Sequence, residues 1–305
     1  MRFILWIGTE QSWPDVLETA RLASATGWDG VYLADHFMPP GDPPGNEPRL
    51  EAWTALAALA ATSTRGRLGV LVSGNTYRHP AIVAKMAATT DVISGGRLVL
   101  GLGAGWQLSE HVAYGIELPE VPERLARLEE ACQVVRLLFD MPRADFDGRY
   151  YALSNAPLEP KPLQSHLPLL VGVSGEQIAL GIAARRADVW NCWGTPEVIG
   201  HKVQILEEQA ARAGRDPALI EHSAQILIFM SRHQEALAQW RFENDPKRSA
   251  AGTPDELVAL LGDYTKIGLD ELVVPDRTLG DTATERQETM QAFLEEVAAP
   301  FQNRP

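Results

Sequence analysis

The residues able to do chemistry in this chain recur at one kind of place, the polar or glycine-rich end of a short apolar run. Asp35-His36 closes the run over 31–34, and Ser73-Gly74-Asn75 closes the near-continuous apolar run over 68–72. Gly103-Ala104-Gly105-Trp106 follows 97–101, Ser174-Gly175 follows 169–173, and Asn191 lies within 189–193. A histidine can give or take a proton near neutral pH. A serine and glycine that open a helix present N–H groups and a favourable dipole to an anion. No HExxH, Walker loop or GxSxG elbow accompanies them, so metal-dependent proteolysis, phosphoryl transfer and acyl-enzyme chemistry lose support. What remains is a non-metal pocket with one histidine, several indoles and two glycine-exposed backbone edges, which suits a planar cofactor with a phosphate tail.

For these ends to meet, the runs must be parallel strands, and the stretch over 67–106 shows how they are built. Leu68, Val70 and Val72 read as a strand buried on both faces. His79-Pro80 then opens a helix, with proline where its missing N–H costs nothing. Ile82, Met86 and Ile93 are its expected apolar face, and Ser94-Gly95-Gly96 stops it. The second strand runs into the glycines. A parallel crossover of this kind is right-handed, so both strands end at one edge of the sheet.

The same alternation runs through the chain. Strands are expected at 3–8, 31–34, 169–173, 189–193, 224–230 and 272–275, with helices opened by Pro14, Pro196 and Pro254 and others over 51–62 and 285–297. Ser174-Gly175 is expected to start the helix that ends near Arg186. A proline-dense loop over 39–48 fits neither helix nor strand. A polar loop over 107–119 leads to a helix with Leu125, Leu128, Val135 and Leu138 inward. Asp147-Gly148 between hydrophobic flanks indicates an inserted hairpin over 146–162. The charged segment over 232–252 is a second excursion. About eight strand-helix units predict an α/β fold, a (β/α)₈ TIM barrel in one domain over 1–305, with insertions about 37–50, 107–120, 140–167 and 232–252. A doubly wound open sheet fits less well, because Gly101-x-Gly103-x-Gly105 lacks the GxGxxG spacing and sits at the fourth strand. That glycine cluster has a plainer explanation too, that it lets a strand end fit beside its neighbours.

A chain of 305 residues with 45% hydrophobic content can bury a large core. Its formal charge of -13 carries no basic stripe, which argues against nucleic-acid and acidic-membrane partners. Cys132 and Cys192 belong to no CxxC pair, so neither a disulfide framework nor a zinc site is indicated, and a reducing cytoplasm is the expected location. The opening MRFILWIG lacks the pattern of a signal peptide, and no apolar run is long enough to span a membrane.

The segments GWDGVYLADHF, SGNTYRHPAIVAKMAATTDVISGGRLVLGLGAGW, FDGRYYALSNAPLEPKP and ADVWNCWG resemble the luciferase-like (β/α)₈ flavin and deazaflavin oxidoreductases, most closely the branch that uses coenzyme F420, an 8-hydroxy-5-deazaflavin. The resemblance runs from the first strand to at least the sixth and rests chiefly on RHPAIVAK and GGRLVLGLGAGW. It implies that Asp35 contacts the cofactor and that His36 is the proton donor or acceptor. It matches Ser73-Gly74-Asn75 to a turn where many relatives hold a non-prolyl cis peptide against the ring, without saying which bond. It lays Ala104-Gly105 along the cofactor chain and puts the phosphate at Ser174, Gly175, Gln177 and Ile178. The physics of the last site agrees, although an ordinary N-cap serine would look the same.

One departure bears on the substrate. Sugar-phosphate dehydrogenases of the family carry a glutamate directly after the strand-four glycine, where this chain has Trp106, so oxidation by their mechanism is not expected. Trp6, Trp106, Trp190 and Trp193, with Asn191, would line an apolar mouth for a hydrophobic or aromatic small-molecule substrate, although some of the indoles could be core. The implied chemistry is hydride transfer at carbon 5 of F420 with His36 managing the proton. Alternatives are an FMN-dependent monooxygenase served by a separate reductase and a flavin- or deazaflavin-binding protein without turnover. The family often forms homodimers through barrel helices.

Overall fold

Strands that are apolar on both faces need cover on both faces, and the computed structural model, which describes residues 1–41, 45–62 and 65–302, supplies it with a closed barrel. In chain order the strands are β1 (Arg2–Ile7), β2 (Gly30–Leu33), β3 (Arg67–Gly74), β4 (Leu98–Gly103), β5 (Ala144–Asp147), β6 (Ala152–Ala156), β7 (Leu169–Gly172), β8 (Val189–Trp193), β9 (Glu221–Gln225), β10 (Leu227–Met230), β11 (Ser249–Gly252) and β12 (Glu271–Pro275). Eight of them close in the order β1-β12-β9-β8-β7-β4-β3-β2, every pair parallel. The (β/α)₈ barrel expected from the alternation is present.

The helices are α1 (Trp13–Thr26), α2 (Ala52–Thr62), α3 (Pro80–Ser94), α4 (Leu108–Tyr114), α5 (Val121–Asp140), α6 (Ala179–Arg186), α7 (Pro196–Arg212), α8 (Gln234–Glu243), α9 (Pro254–Lys266) and α10 (Ala283–Ala292). Local chemistry sets their ends. Ser12 caps α1 by accepting from Asp15 N, and Gly27 ends it in the left-handed region, where glycine has no Cβ to clash. Thr253 and Glu256 form a reciprocal capping box on α9.

Two apolar clusters divide the core. The larger lies between the strands and the helix ring; the smaller fills the barrel with Ile4, Tyr32, Leu71, Val99, Leu170, Val189 and Val273, against which Trp6 and Val72 pack. Toward the N-terminal ends of the strands the interior turns polar. Glu271, wholly buried, accepts from Ser223 Oγ at 3.0 Å and Tyr32 Oη at 3.3 Å, and Arg67 Nη1 lies 3.2 Å from it. A buried carboxylate tied to an arginine and two hydroxyls is satisfied structure.

Four expectations are corrected. The seventh barrel strand is β9, not 224–230: after Gln225 the chain leaves the barrel, and β10 pairs in parallel with β11 of the 232–252 excursion. The inward face of α3 is Val83, Ala84, Ala87, Ala88 and Asp91, while Ile82 and Ile93 are 56% and 44% exposed. Small side chains bring that helix close to the sheet. The polar loop over 107–119 contains α4. The helix after β7 starts at Ala179 rather than Ser174. The inserted hairpin is present as antiparallel β5 and β6. Within the loop expected over 39–48 the described residues form no helix or strand; Asp42, Pro43 and Pro44 lie outside the described residues. Among the described residues no helix is long and apolar enough to cross a membrane.

Candidate active site

In a barrel the C-terminal strand ends form the active-site mouth, and at the β2 end stands His36, directly after Asp35. Its side chain is 22% exposed, and its Nδ1 lies 3.1 Å from Glu110 Oε2. Glu110 comes from α4 and is wholly buried. Its carboxylate also accepts from Met38 N at 3.2 Å, from Phe37 N and from Tyr77 Oη. Burial pushes this carboxyl up, but the donors, His36 first and Tyr77 next, outweigh it and hold it below the ordinary glutamate value. Burial and the same carboxylate drive the Tyr77 phenol far up, so it stays a donor.

An ionised carboxylate can only accept, so His36 Nδ1 carries the proton facing Glu110. Nε2 has no hydrogen-bond partner among the described residues. In the neutral ring that nitrogen bears the lone pair, and it can take a proton from a bound molecule. Trp106, 63% exposed, packs edge-on to the imidazole at 5.5 Å.

Asp35 is an anchor rather than an open contact. Its buried carboxylate accepts from Ser73 Oγ and Gly74 N, both at 3.1 Å, and from Arg78 at 2.6 and 3.0 Å. Arg78 also reaches Glu51 at 2.6 Å. Ser73 also accepts from Trp53 Nε1 at 3.0 Å, so the one proton of its hydroxyl is committed to Asp35. Asn75 donates to Tyr151 Oη at 3.1 Å, tying the turn after β3 to the hairpin insertion. His111, next to Glu110, bonds Thr76 Oγ1 at 2.7 Å and Gln107 O at 2.8 Å. Together these bonds clamp α4 onto the β2 and β3 ends.

The non-prolyl cis bond is Leu71–Val72, just before the turn the resemblance pointed to, and the β3–β4 register shifts there. Val72 then projects over the strand-end glycines. A Cβ on Gly103 would meet its Cγ2 at 2.5 Å, and one on Gly172 its Cγ1 at 2.8 Å. A Cβ on Gly101 would meet Val70 O at 2.2 Å. Most of the glycine run therefore makes room inside the protein. Gly105 does so too, since a Cβ there would meet Thr76 Oγ1 at 2.5 Å; its φ of +79° also needs glycine, and its carbonyl accepts from Arg124. Ala104 beside it is partly exposed.

Ser174, Gly175, Gln177 and Ile178 form an exposed turn leading into α6, which has no side-chain cap. Lys202 Nζ donates to Ser174 O and Glu176 Oε1, both at 2.8 Å. A turn of this kind beside an ammonium fits a phosphate.

The indoles split. Trp6 and Trp193 face inward at the mouth, edge to face at 5.8 Å. Trp190 does not: it is wholly buried in the outer cluster, its Nε1 donating to Val173 O at 2.9 Å. Asn191 points inward but lower, donating to Ser223 Oγ at 2.9 Å in the polar network that ends at Glu271. Neither Trp190 nor Asn191 lines the mouth. Glu110, Tyr77 and Arg78 were missed by sequence reasoning; the SEH triplet in the loop after β4 was the one signal for Glu110.

Residues 1–246 match the family model described as luciferase-like monooxygenase. A coenzyme F420-dependent glucose-6-phosphate dehydrogenase of Microbacterium testaceum is 33% identical, over 79% of this chain and 72% of its own length. One of Amycolatopsis mediterranei is 30% identical, over 85% and 87%. Among solved structures, the F420-dependent tetrahydromethanopterin reductase of Methanopyrus kandleri superposes with a TM-score of 0.82 at 20% identity over 99% of each chain. An F420-dependent secondary alcohol dehydrogenase bound to an F420-acetone adduct gives 0.82 at 22%, over 97% of this chain and 99% of that one. At those identities the structural likeness speaks for the fold.

Proposed function

Because the chain belongs to the luciferase-like monooxygenase family, we propose that it is a coenzyme F420-dependent oxidoreductase that oxidises a hydroxyl-bearing carbon of a sugar phosphate. The observation that carries this reading is His36, held at the β2 end by buried Glu110, with no hydrogen bond to Nε2 among the described residues. Bound F420 supplies a deazaflavin ring whose carbon 5 exchanges a hydride.

The chain's own residues fit such a ring and its tail. The left-handed Gly105 turns the chain beyond β4, and the turn over 174–178 offers a phosphate its N–H groups, with Lys202 held beside it by Glu176 and the Ser174 carbonyl. Two buried donors at the mouth, Trp6 Nε1 and Gln225 Nε2, have no hydrogen-bond partner among the described residues. Asp35 acts on the cofactor site through Ser73, Gly74 and Arg78, whose positions it fixes.

His36 Nε2 takes the hydroxyl proton as the carbon loses its hydride, and Glu110 stabilises the imidazolium so formed. Trp106 shields that imidazole from water on one side. The family's glutamate after the strand-four glycine is absent; Glu110, four residues further on, is the carboxylate that meets the histidine.

An apolar substrate, expected from the four indoles, is not retained. Trp190 is outside the mouth, Gln225 is in it, and the curated relatives named above are glucose-6-phosphate dehydrogenases. Cationic residues occur in the segments that meet the ends of β8 and β12. Thr195 N, after β8, bonds Lys247 O at 3.2 Å, with Arg248 adjacent, and Arg277 follows β12. The test is to mix purified protein with F420 and glucose 6-phosphate and follow loss of the oxidised cofactor's visible absorbance. Steady loss supports the reading; F420 binding without loss, across a panel of sugar phosphates, rejects the substrate class.

A further inference from the structure

The mouth has two walls. The residues proposed for the cofactor sit at the ends of β2, β3, β4 and β7, which are contiguous in the barrel; β8, β9, β12 and β1 complete the ring. On this second wall Trp6 of β1, Trp193 of β8 and Gln225 of β9 stand at the last inward positions. Trp193 and Gln225 are register partners, and the Trp193 indole meets Trp6 edge-on at 5.8 Å. Gln225, 3% exposed, shares the inward face of β9 with Ser223, whose hydroxyl reaches Glu271 inside the barrel.

Lower in the barrel a bonded chain runs from Asn191 Nδ2 to Ser223 Oγ and on to Glu271. At the upper level pairing stops: Trp6 Nε1 and Gln225 Nε2 are buried and bond to nothing among the described residues. A buried unpaired donor costs about 1–3 kcal/mol, so a protein seldom keeps one without use. Two on the wall facing the cofactor side call for acceptors from outside.

Resting on the function proposed above, we infer that Trp6 and Gln225 are the specificity-determining donors of the substrate wall, giving their N–H groups to hydroxyl or carbonyl oxygens of the sugar. A hydroxylated substrate pairs both donors. An apolar molecule of the same shape leaves both unpaired and is rejected for that reason, a discrimination that apolar contacts alone do not provide. The indole edges keep water from competing at the same site.

The test uses the ¹⁵N-labelled protein and a readout independent of turnover. The Trp6 indole N–H signal, identified by its absence in Trp6→Phe, is followed as F420 and then glucose 6-phosphate are added. It is expected to stay in place with F420 and move downfield with the sugar. In Gln225→Met the dissociation constant for glucose 6-phosphate rises about 3- to 10-fold, the loss of one hydrogen bond, while F420 affinity stays within about twofold. An indole signal that moves on F420 addition alone places the donors against the cofactor and overturns the inference. So does sugar affinity unchanged in Gln225→Met, or wild-type protein that binds F420 but not glucose 6-phosphate. Wild-type protein that binds no F420 rejects the wider functional reading instead.

Discussion

Glu110 Oε2 lies 3.1 Å from Nδ1 of His36, although the two residues are 74 positions apart, one after β2 and the other in the short helix after β4. The carboxylate is wholly buried, so the contact is an internal support for a residue that itself reaches the mouth.

His36→Ala removes Nε2 together with one of the donors to the buried Glu110 carboxylate. Turnover falls at least about a hundredfold, the ordinary loss on removing a general acid-base group, with F420 affinity within about threefold. Stopped-flow reduction of F420 beside fluorescence titration reads both. A protein that binds cofactor without chemistry would show no change in either.

Glu110→Gln replaces a buried acceptor with an amide in front of several half-buried donors, the Phe37 and Met38 amides, Tyr77 Oη and His36 Nδ1. Unfolding free energy in urea drops by about 3–5 kcal/mol, as when one partner of a buried charged network is lost. In the protein that remains folded kcat falls while the KM for F420 holds, because the histidine loses its orientation rather than the cofactor its site. Unchanged kcat would show that the contact is only structural.

Gly103→Ala drives a Cβ into Val72 Cγ2, a contact of 2.5 Å, and destabilises by about 1–3 kcal/mol. Adding Val72→Ala restores most of that loss in a double-mutant cycle. Gly101→Ala is not rescued by the same change, because its Cβ meets the Val70 carbonyl oxygen at 2.2 Å. Urea denaturation of the wild type and the five variants checks the pattern.

Asp276 is buried between the β1 and β12 ends, accepting from Gly8 N at 3.0 Å and Gln11 Nε2 at 2.7 Å. Burial outweighs those bonds and raises its pKa from 3.8 to about 6. The folded protein therefore holds a proton that the unfolded chain gives up between these values. The stability contribution is full below the unfolded pKa and is lost as pH rises through about 6, by about 3 kcal/mol for a shift of this size. Asp276→Asn lacks this dependence. The difference in unfolding free energy between wild type and variant, measured at pH 4 and pH 7.5, should shift against the wild type at the higher pH.

The alternation of strands and helices and the position of His36 after β2 were legible in the sequence because strand ends carry their own punctuation. Trp190 was not. A parallel strand is apolar toward the barrel and toward the helices alike, so composition does not tell which of Trp190 and Trp193 faces in. Glu110 was hidden for another reason: α4 spans Leu108–Tyr114, too short for a periodic stripe, and its role comes from a partner far away in the chain. The split of β9 from β10 was masked by a run over Ala224 to Met230, apolar but for Gln225, that crosses from one sheet to another. The start of α6 slipped because Ser174-Gly175 has the composition of a helix cap but forms the turn before it.

Titration of the wild-type apoprotein with F420 and, separately, with FMN, followed by ligand fluorescence, tests the assignment of cofactor and therefore of chemistry. Saturable quenching by F420 at a one-to-one ratio, with none by FMN, is the expected result. Tight FMN binding with negligible F420 binding would contradict it and turn the same pocket over to oxygen chemistry.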